Sequence, residues 1–121
     1  MNDSAGSTIG RPISEAKADL FRALAHPARI RTLELLAERE LAVGEIQPLV
    51  GIESSYLSQQ LGILRRSGLV TARKDGSQVF YSVVDPQLIE LLGAAKRVLI
   101  RSLSNTEGLL ADLRAEMGEG E

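Results

Sequence analysis

The sequence predicts a mainly α-helical domain with one small β-hairpin, and three observations support this prediction. Apolar residues recur at helical spacing in several segments, which are separated by short breaks. Asp75 and Gly76 stand between two segments rich in β-branched and aromatic residues, which is a strong hairpin signal. The length of 121 residues suits one domain with a modest core. Four predicted helices, a hairpin and a last helix, in this order, are typical of a winged helix-turn-helix.

The composition argues against several classes of function. The chain has no cysteine, which excludes disulfides, thiolate metal sites and thiol redox sensing. Its single histidine, His26, precedes Pro27, and we interpret it as part of a helix cap or junction rather than as a catalytic or metal-binding group. We therefore predict no metal site, no cofactor and no enzymatic activity. No apolar stretch approaches about 18 residues and the N-terminus lacks a signal-peptide pattern, so we expect a cytoplasmic protein with no membrane partner.

The first two helices are predicted from their apolar residues and start signals. Residues 1–13 are small and polar and are predicted to form a disordered arm, which leaves 14–116 as the folded domain. Ser14 is the predicted N-cap of a helix over about 15–25. Pro27 favours the first position of a second helix, which is expected to run to about residue 39.

A third helix is predicted over about 43–50, after a short link at 41–43. Pro48 is expected to keep this helix short or distorted, because an interior proline loses a backbone hydrogen bond. Gly51 can adopt positive φ and end it. Three apolar residues are predicted to face inward: Ile46, Leu49 and Val50.

The fourth predicted helix, over about 54–67, has an outer face that is unusual for a surface helix. Three leucines share the opposite face and are expected to be buried: Leu57, Leu61 and Leu64. Polar groups without any acidic residue fill the outer face: Ser54, Ser55, Tyr56, Ser58, Gln59 and Gln60. Such side chains suit base edges in the DNA major groove, and Gln59 is the foremost candidate. Ser54 is expected to cap the helix, contact phosphate, or both. The alternative is a merely solvated helix face.

Basic residues are concentrated in the same part of the sequence. Residues 54–83 contain four of them against Asp75 alone: Arg65, Arg66, Arg73 and Lys74. Arg65 lies at the predicted helix end, where it can contact phosphate or stabilise the helix C-terminus. The hairpin tip is predicted to reach the DNA backbone or minor groove through Arg73, Lys74, Gly76, Ser77 and Gln78.

The last predicted helix, over about 86–115, has an apolar stripe longer than a small core requires. Ser104, Asn105 or Gly108 are expected to break or bend it, and residues 117–121 are predicted to be frayed. An isologous homodimer would bury the excess apolar surface of the first and last helices. The predicted interface residues are Leu20, Phe21, Leu24, Leu88, Leu91, Leu92, Ala95, Leu99 and Leu103. The alternative is that the last helix only covers its own core.

Two stretches carry a resemblance to a known family. "LFRALAHPARIRTLELLAERELAVGEI" and "SYLSQQLGILRRSGLVTARKDGSQVFYSV", with the last helix, resemble the ArsR/SmtB family of bacterial transcriptional regulators over about 15–105. The resemblance implies a dimeric winged-helix repressor that is released from its operator by an effector. It implies DNA contact at 73–78 and at Ser55, Tyr56, Ser58 and Gln59. Gln60 stands where many members have His, so the resemblance gives it no clear contact.

The sequence also departs from that family. Metal-sensing and thiol-based members use Cys, or Asp, His and Glu sets on the last helix. This chain has no Cys and offers only Glu90 and Glu107 there, so the usual switches are not expected and the effector is unidentified. We predict a sequence-specific, double-stranded DNA-binding regulator, a dimeric repressor of a pseudo-palindromic operator. The alternatives are a winged-helix protein-interaction module and a metal-responsive repressor with unusual ligands.

Overall fold

The computed structural model describes residues 11–118 and confirms the predicted fold class. The elements, in chain order, are α1 Ile13–Leu24, α2 Pro27–Leu36, β1 Leu41–Ala42, α3 Val43–Val50, α4 Ser54–Arg66, β2 Val70–Asp75, β3 Gln78–Val83 and α5 Gln87–Glu116. The chain divides after Pro86 into two units. The first contains α1 to β3, and the second is the long helix α5.

The start of α1 differs from the prediction. Pro12 is the N-cap residue and its carbonyl accepts hydrogen bonds from the backbone of Glu15 and Ala16, so the helix begins at Ile13. Ser14 therefore lies inside the helix, and the prediction that it is the N-cap is wrong. The limit of the predicted disordered arm at residue 13 is also too late. Residues 1–10 of that arm lie outside the described residues.

His26 and Pro27 start α2 as predicted. His26 has an extended backbone, and its Nδ1 accepts a hydrogen bond from the Ala28 backbone N–H at 3.1 Å. Pro27 occupies the first helical turn, where its missing N–H costs no hydrogen bond. The interpretation of His26 as a capping residue is confirmed. The helix ends at Leu36, three residues earlier than predicted.

A third strand joins the predicted hairpin. Strands β2 and β3 pair antiparallel on either side of a turn at Gly76–Ser77, and β1 pairs antiparallel with the other edge of β3. The order in the sheet is β1-β3-β2. The prediction that residues 41–43 form only a link is therefore wrong. Leu41 and Ala42 are buried, and their pairing satisfies backbone groups that a two-stranded hairpin would leave unpaired.

The core of the first unit is built around α4. Four side chains on α3 and α4 have no exposed surface, which confirms the predicted leucine face: Ile46, Leu57, Leu61 and Leu64. Leu49 is 55% exposed, so the prediction that it faces inward is wrong. It lies instead on a groove that Leu35 and Leu41 also line, because the two-turn helix α3 buries only the side centred on Ile46.

Two glycines end the helices that flank this core. Gly51 has φ of 78° and Gly68 has φ of 77°, a conformation that side chains with a Cβ rarely adopt. Gly51 ends α3 in the left-handed conformation, as predicted. Gly68 follows α4, and the chain then enters β2 at Val70.

Helix α5 is continuous over its whole length, so the predicted break near Ser104, Asn105 or Gly108 is wrong. One glycine costs a helix only about 1 kcal/mol. The hydroxyl of Thr106 donates to the carbonyl of Ser102 within the same stretch. Met117 and Gly118 form a turn, and residues 119–121 of the predicted frayed tail lie outside the described residues. Within residues 11–118, no helix is long and apolar enough to cross a membrane.

Replacing Leu61 by Ala tests the central packing. The variant leaves a cavity beneath α4, so the free energy of unfolding should fall by about 2–5 kcal/mol. Urea denaturation followed by circular dichroism measures it. Leu49→Ala is the matched control and should change stability by less than about 0.5 kcal/mol, because Leu49 is mostly exposed. Equal losses in the two variants would contradict this packing.

Candidate nucleic-acid interface

The outer face of α4 presents polar side chains that have no partner within the described chain. Ser54, Ser58 and Gln59 are exposed, and none of them makes a side-chain hydrogen bond with residues 11–118. The opposite face of the helix is fully buried. A rigid helix thus presents hydroxyl and amide groups with free hydrogen-bonding capacity.

An acidic residue precedes this face. Glu53 is the N-cap residue of α4, and Ser55 donates a hydrogen bond from Oγ to Glu53 Oε1 at 2.8 Å. Ser54 is already helical, so the prediction that it caps the helix is wrong. The sequence predicts that Ser54 or Glu53 starts this helix, and the structure places Glu53 at the N-cap, directly before the polar face. Its carboxylate is an acceptor, and the cytosine amino group is the base-edge donor that suits it.

Gln60 is not part of the outer face. It is only 5% exposed, and its Oε1 accepts a hydrogen bond from Arg29 Nη1 at 3.1 Å. Arg29 Nη2 also donates to the carbonyl of Arg22 at 3.4 Å. The prediction that Gln60 faces outward is wrong because this position falls between Leu57 and Leu64 on the buried face. Gln60 instead links α4 to α2 and α1.

The hydroxyl of Tyr56 makes a hydrogen bond within the chain. Its Oη lies 2.6 Å from Nε2 of His26, the residue that caps α2. The ring remains 38% exposed. Tyr56 therefore remains partly exposed while its hydroxyl contacts the residue that precedes α2.

The hairpin forms a wing with an exposed, polar tip. Lys74, Ser77 and Gln78 are exposed, and their side chains make no hydrogen bond or ion pair within the described part of the chain. Gly76 occupies the turn with φ of 65°. Lys74 therefore offers an unpaired positive charge close to the tip.

Arg73 lies farther from the tip than the sequence suggested. It pairs with Phe80 in the middle of the hairpin, and its guanidinium lies 4.9 Å from the centre of that ring. Arg73 Nε donates to Glu40 Oε2 at 3.2 Å, and Nη2 donates to Glu40 Oε1. The same hydrogen bonds lower the pKa of the Glu40 carboxyl and raise the pKa of the Arg73 guanidinium. Arg73 is thus engaged within the chain, unlike Lys74.

Two arginines occupy the last turn of α4. Arg65 and Arg66 are exposed and form no ion pair with residues 11–118. Positive charge there stabilises the helix C-terminus and remains accessible to an anion. Both interpretations of Arg65 made from the sequence stay open.

The predicted dimer residues fall into three groups by exposure. Leu24, Leu88 and Leu92 are buried, and their assignment to the interface stays a prediction. Leu20 and Leu91 are half-buried. The exposed members are Phe21, Ala95, Leu99 and Leu103. Sequence reasoning missed exposed apolar residues that continue the α5 stripe, namely Leu110 and Leu113 on the helix and Met117 in the turn after it.

The described residues hold no group of three or more His, Asp or Glu side chains placed to bind a metal ion. The absence of a metal site, of a cofactor and of enzymatic activity stays a prediction.

Comparison with known proteins identifies the class. A family model described as "Bacterial regulatory protein, arsR family" matches residues 26–72. The HTH-type transcriptional regulator Rv0081 of Mycobacterium tuberculosis is 55% identical over 105 residues, which cover 86% of this chain and 92% of the relative. Its crystal structure matches with a TM-score of 0.72 over 78% of this chain and 96% of that chain.

Two further proteins are similar over smaller or more divergent regions. The biofilm growth-associated repressor of Xylella fastidiosa is 40% identical over 77 residues, which cover 64% of this chain and 68% of the relative. The homodimeric winged helix-turn-helix DNA-binding domain of Mb0332 from Mycobacterium bovis is 27% identical, with a TM-score of 0.69. That match covers 87% of this chain and 93% of the other.

The fold and these similarities define a transcriptional regulator with a winged helix-turn-helix DNA-binding fold. The chain belongs to the ArsR family of bacterial regulatory proteins. The family and these relatives are regulators rather than enzymes.

The pair of Glu40 and Arg73 should make stability depend on pH. Because the folded-state pKa of Glu40 is lowered, its contribution is complete above the ordinary glutamate pKa and is lost as pH falls through the lowered value. The unfolding free energies of wild type and Glu40→Gln should therefore differ most near neutral pH and converge on acidification. Urea denaturation at a series of pH values measures this. A difference that does not vary with pH would contradict the pair.

Proposed function

We propose that this regulator is a dimeric repressor that binds a pseudo-palindromic operator in cytoplasmic DNA with sequence specificity. The main support for this proposal is the exposed polar face of α4, which lies opposite the fully buried leucine face of the same helix. The name of the Xylella relative supports a repressor, and the homodimeric Mycobacterium bovis structure supports a dimer.

In this proposal α4 lies in the major groove, where each base pair presents a distinct pattern of donors and acceptors. Gln59 is assigned the leading base contact, because its amide both donates and accepts and has no partner within the described residues. Ser58 and Ser55 can contact neighbouring bases, and Ser54 can contact phosphate. Glu53 holds the Ser55 hydroxyl and thereby limits which base edge it can approach.

The wing is assigned the adjacent DNA backbone. Lys74 supplies the charge, and Gly76, Ser77 and Gln78 form a tip narrow enough to approach phosphates. Arg65 is assigned a further phosphate contact at the end of α4. Arg73 ranks below Lys74 as a DNA contact, because binding a phosphate would require it to leave Glu40.

The exposed stripe of α5 supports association with a second copy. Its residues follow alternating steps of four and three: Leu99, Leu103, Thr106, Leu110, Leu113 and Met117. A period of 3.5 residues lets two helices pack along their length. Leu99 and Leu103 are 62% and 64% exposed, which is costly without a partner. Phe21 on α1 is 53% exposed and is assigned to the interface as well, and a two-fold dimer would present two α4 helices to one operator.

Gln59→Ala tests the assignment of base contact. The variant should lose roughly 1–3 kcal/mol of discrimination between operator and random DNA, because a base-edge contact contributes about that much. The operator is obtained as the duplex that the full chain enriches from a randomised pool, and fluorescence anisotropy measures both affinities. An unchanged ratio of the two affinities would show that Gln59 does not contact a base.

Lys74→Ala tests the phosphate contact assigned to the wing, whereas Gln59→Ala tests base contact. It should weaken operator and random DNA alike, and should reduce the slope of log affinity against log salt by about one per protomer. Lys96→Ala, on α5, is a control that also removes one exposed positive charge. If both lysine variants behave the same, the effect of Lys74 is only one of net charge.

Leu103→Glu tests the dimer. A carboxylate in the exposed stripe should convert a dimer to monomer in sedimentation velocity experiments, because burying the charge costs several kcal/mol. Asn105→Glu introduces the same charge on the opposite side of α5 and should leave the dimer intact. Dissociation in both variants, or in neither, would contradict the assigned surface.

A further inference from the structure

The contact between His26 and Tyr56 is not explained by the DNA contacts assigned above. His26 Nε2 and Tyr56 Oη lie 2.6 Å apart and join the start of α2 to the outer face of α4. The two rings are inclined at 53° with centres 5.8 Å apart. Tyr56 is the third residue of α4, in the part of the helix that enters the major groove in the proposed complex.

The cap of α2 determines which atom of this contact donates the proton. The backbone N–H of Ala28 donates to His26 Nδ1, so Nδ1 carries no proton. In a neutral imidazole the proton then resides on Nε2. Nε2–H therefore donates to Tyr56 Oη, and the O–H of Tyr56 is not used in this contact.

Within residues 11–118, the groove beside the two rings has no acidic side chain in its lining to accept from that O–H. This groove has a volume of about 290 Å³, and its other lining residues are apolar except Arg31, whose side chain only donates: Pro27, Ala28, Arg31, Val50 and Ile52. Among residues 11–118, His26 is the hydrogen-bond partner of the Tyr56 hydroxyl. The remaining proton is thus available to an acceptor from outside the chain.

We propose that His26 is a positioning residue for DNA binding, which holds Tyr56 so that its O–H donates to a DNA phosphate oxygen. The inference rests on the proposed function, because it requires α4 to lie in the major groove. Tyrosine hydroxyls are among the groups that contact phosphates and fix the orientation of a protein on the duplex. Donation from His26 also makes the hydroxyl a better donor, because successive hydrogen bonds polarise one another.

The tautomer of His26 gives the first test. Since His26 is the single histidine of the chain, its imidazole nitrogens give one unambiguous set of NMR signals. Long-range ¹H–¹⁵N spectra of the full chain, at a pH where the ring is neutral, should show the Nε2–H form. The Nδ1–H form would overturn the inference, because Tyr56 would then donate to Nε2 and have no proton left for a phosphate.

Two variants separate the positioning of Tyr56 from the capping of α2. Tyr56→Phe keeps the ring and removes the hydroxyl. His26→Asn keeps a side-chain oxygen that can cap the helix, but it is too short to reach Tyr56. Each should bind the enriched duplex roughly tenfold more weakly, as expected for one hydrogen bond to a charged group. The double variant should bind no more weakly than the weaker single variant, because both remove the same contact.

The salt dependence distinguishes this contact from a charged one. A neutral hydroxyl releases no counterion, so both variants should keep the wild-type slope, whereas Lys74→Ala should lower it. Thermal unfolding checks that the variants remain folded, and a purely structural contact would lower stability without lowering the affinity for DNA. Wild-type affinity in either variant, or losses that add in the double variant, would overturn this inference alone. Failure of the wild type to enrich any duplex would overturn the proposed function as well.

Discussion

The burial of one leucine face fixes the orientation of α4 and therefore which of its side chains are exposed. Leu57, Leu61 and Leu64 have no exposed surface, and burying each contributes about 1.5–3 kcal/mol. Successive residues of a helix are rotated by about 100°, so any turn of α4 about its axis would expose one of these leucines. Their burial therefore determines that Ser58 and Gln59 face away from the core.

Polar contacts between residues far apart in the sequence also orient α4 and the wing, the two elements assigned to DNA. Helix α2 supplies two of them, since His26 contacts Tyr56 and Arg29 contacts the buried Gln60. A third lies just after α2, where Glu40 holds a residue of β2. Residues of α2, its N-cap and the segment that follows it thus contact both α4 and the wing. A displacement of α2 would consequently reach both proposed DNA-contacting elements.

Much of the fold could be predicted because the sequence features that define each element lie within that element. Pro27 begins a helix, Gly51 and Gly68 follow helices, and the leucine spacing of α4 defines its buried face within one element. The polar face of α4 follows from the same spacing. The hairpin was predictable from the turn at Gly76 and its flanking strands.

The errors arose where the outcome depends on distant partners. Strand β1 is only two residues long and forms by pairing with β3, about 40 residues farther along the chain. Gln60 is buried with Arg29 as the partner of its amide, and the guanidinium of Arg73 is bound by Glu40. Neither pairing has a periodicity or motif in the sequence. The continuity of α5 likewise depends on its whole length rather than on the residues around Gly108.

A salt titration of DNA binding by the full chain tests most directly whether this protein binds DNA with sequence specificity. It compares the duplex enriched from a randomised pool with a scrambled duplex of the same composition. We expect both affinities to fall steeply with salt while the enriched duplex remains preferred, because phosphate contacts give affinity and α4 gives specificity. Weak binding with a flat salt dependence, or equal affinity for the two duplexes, would contradict it.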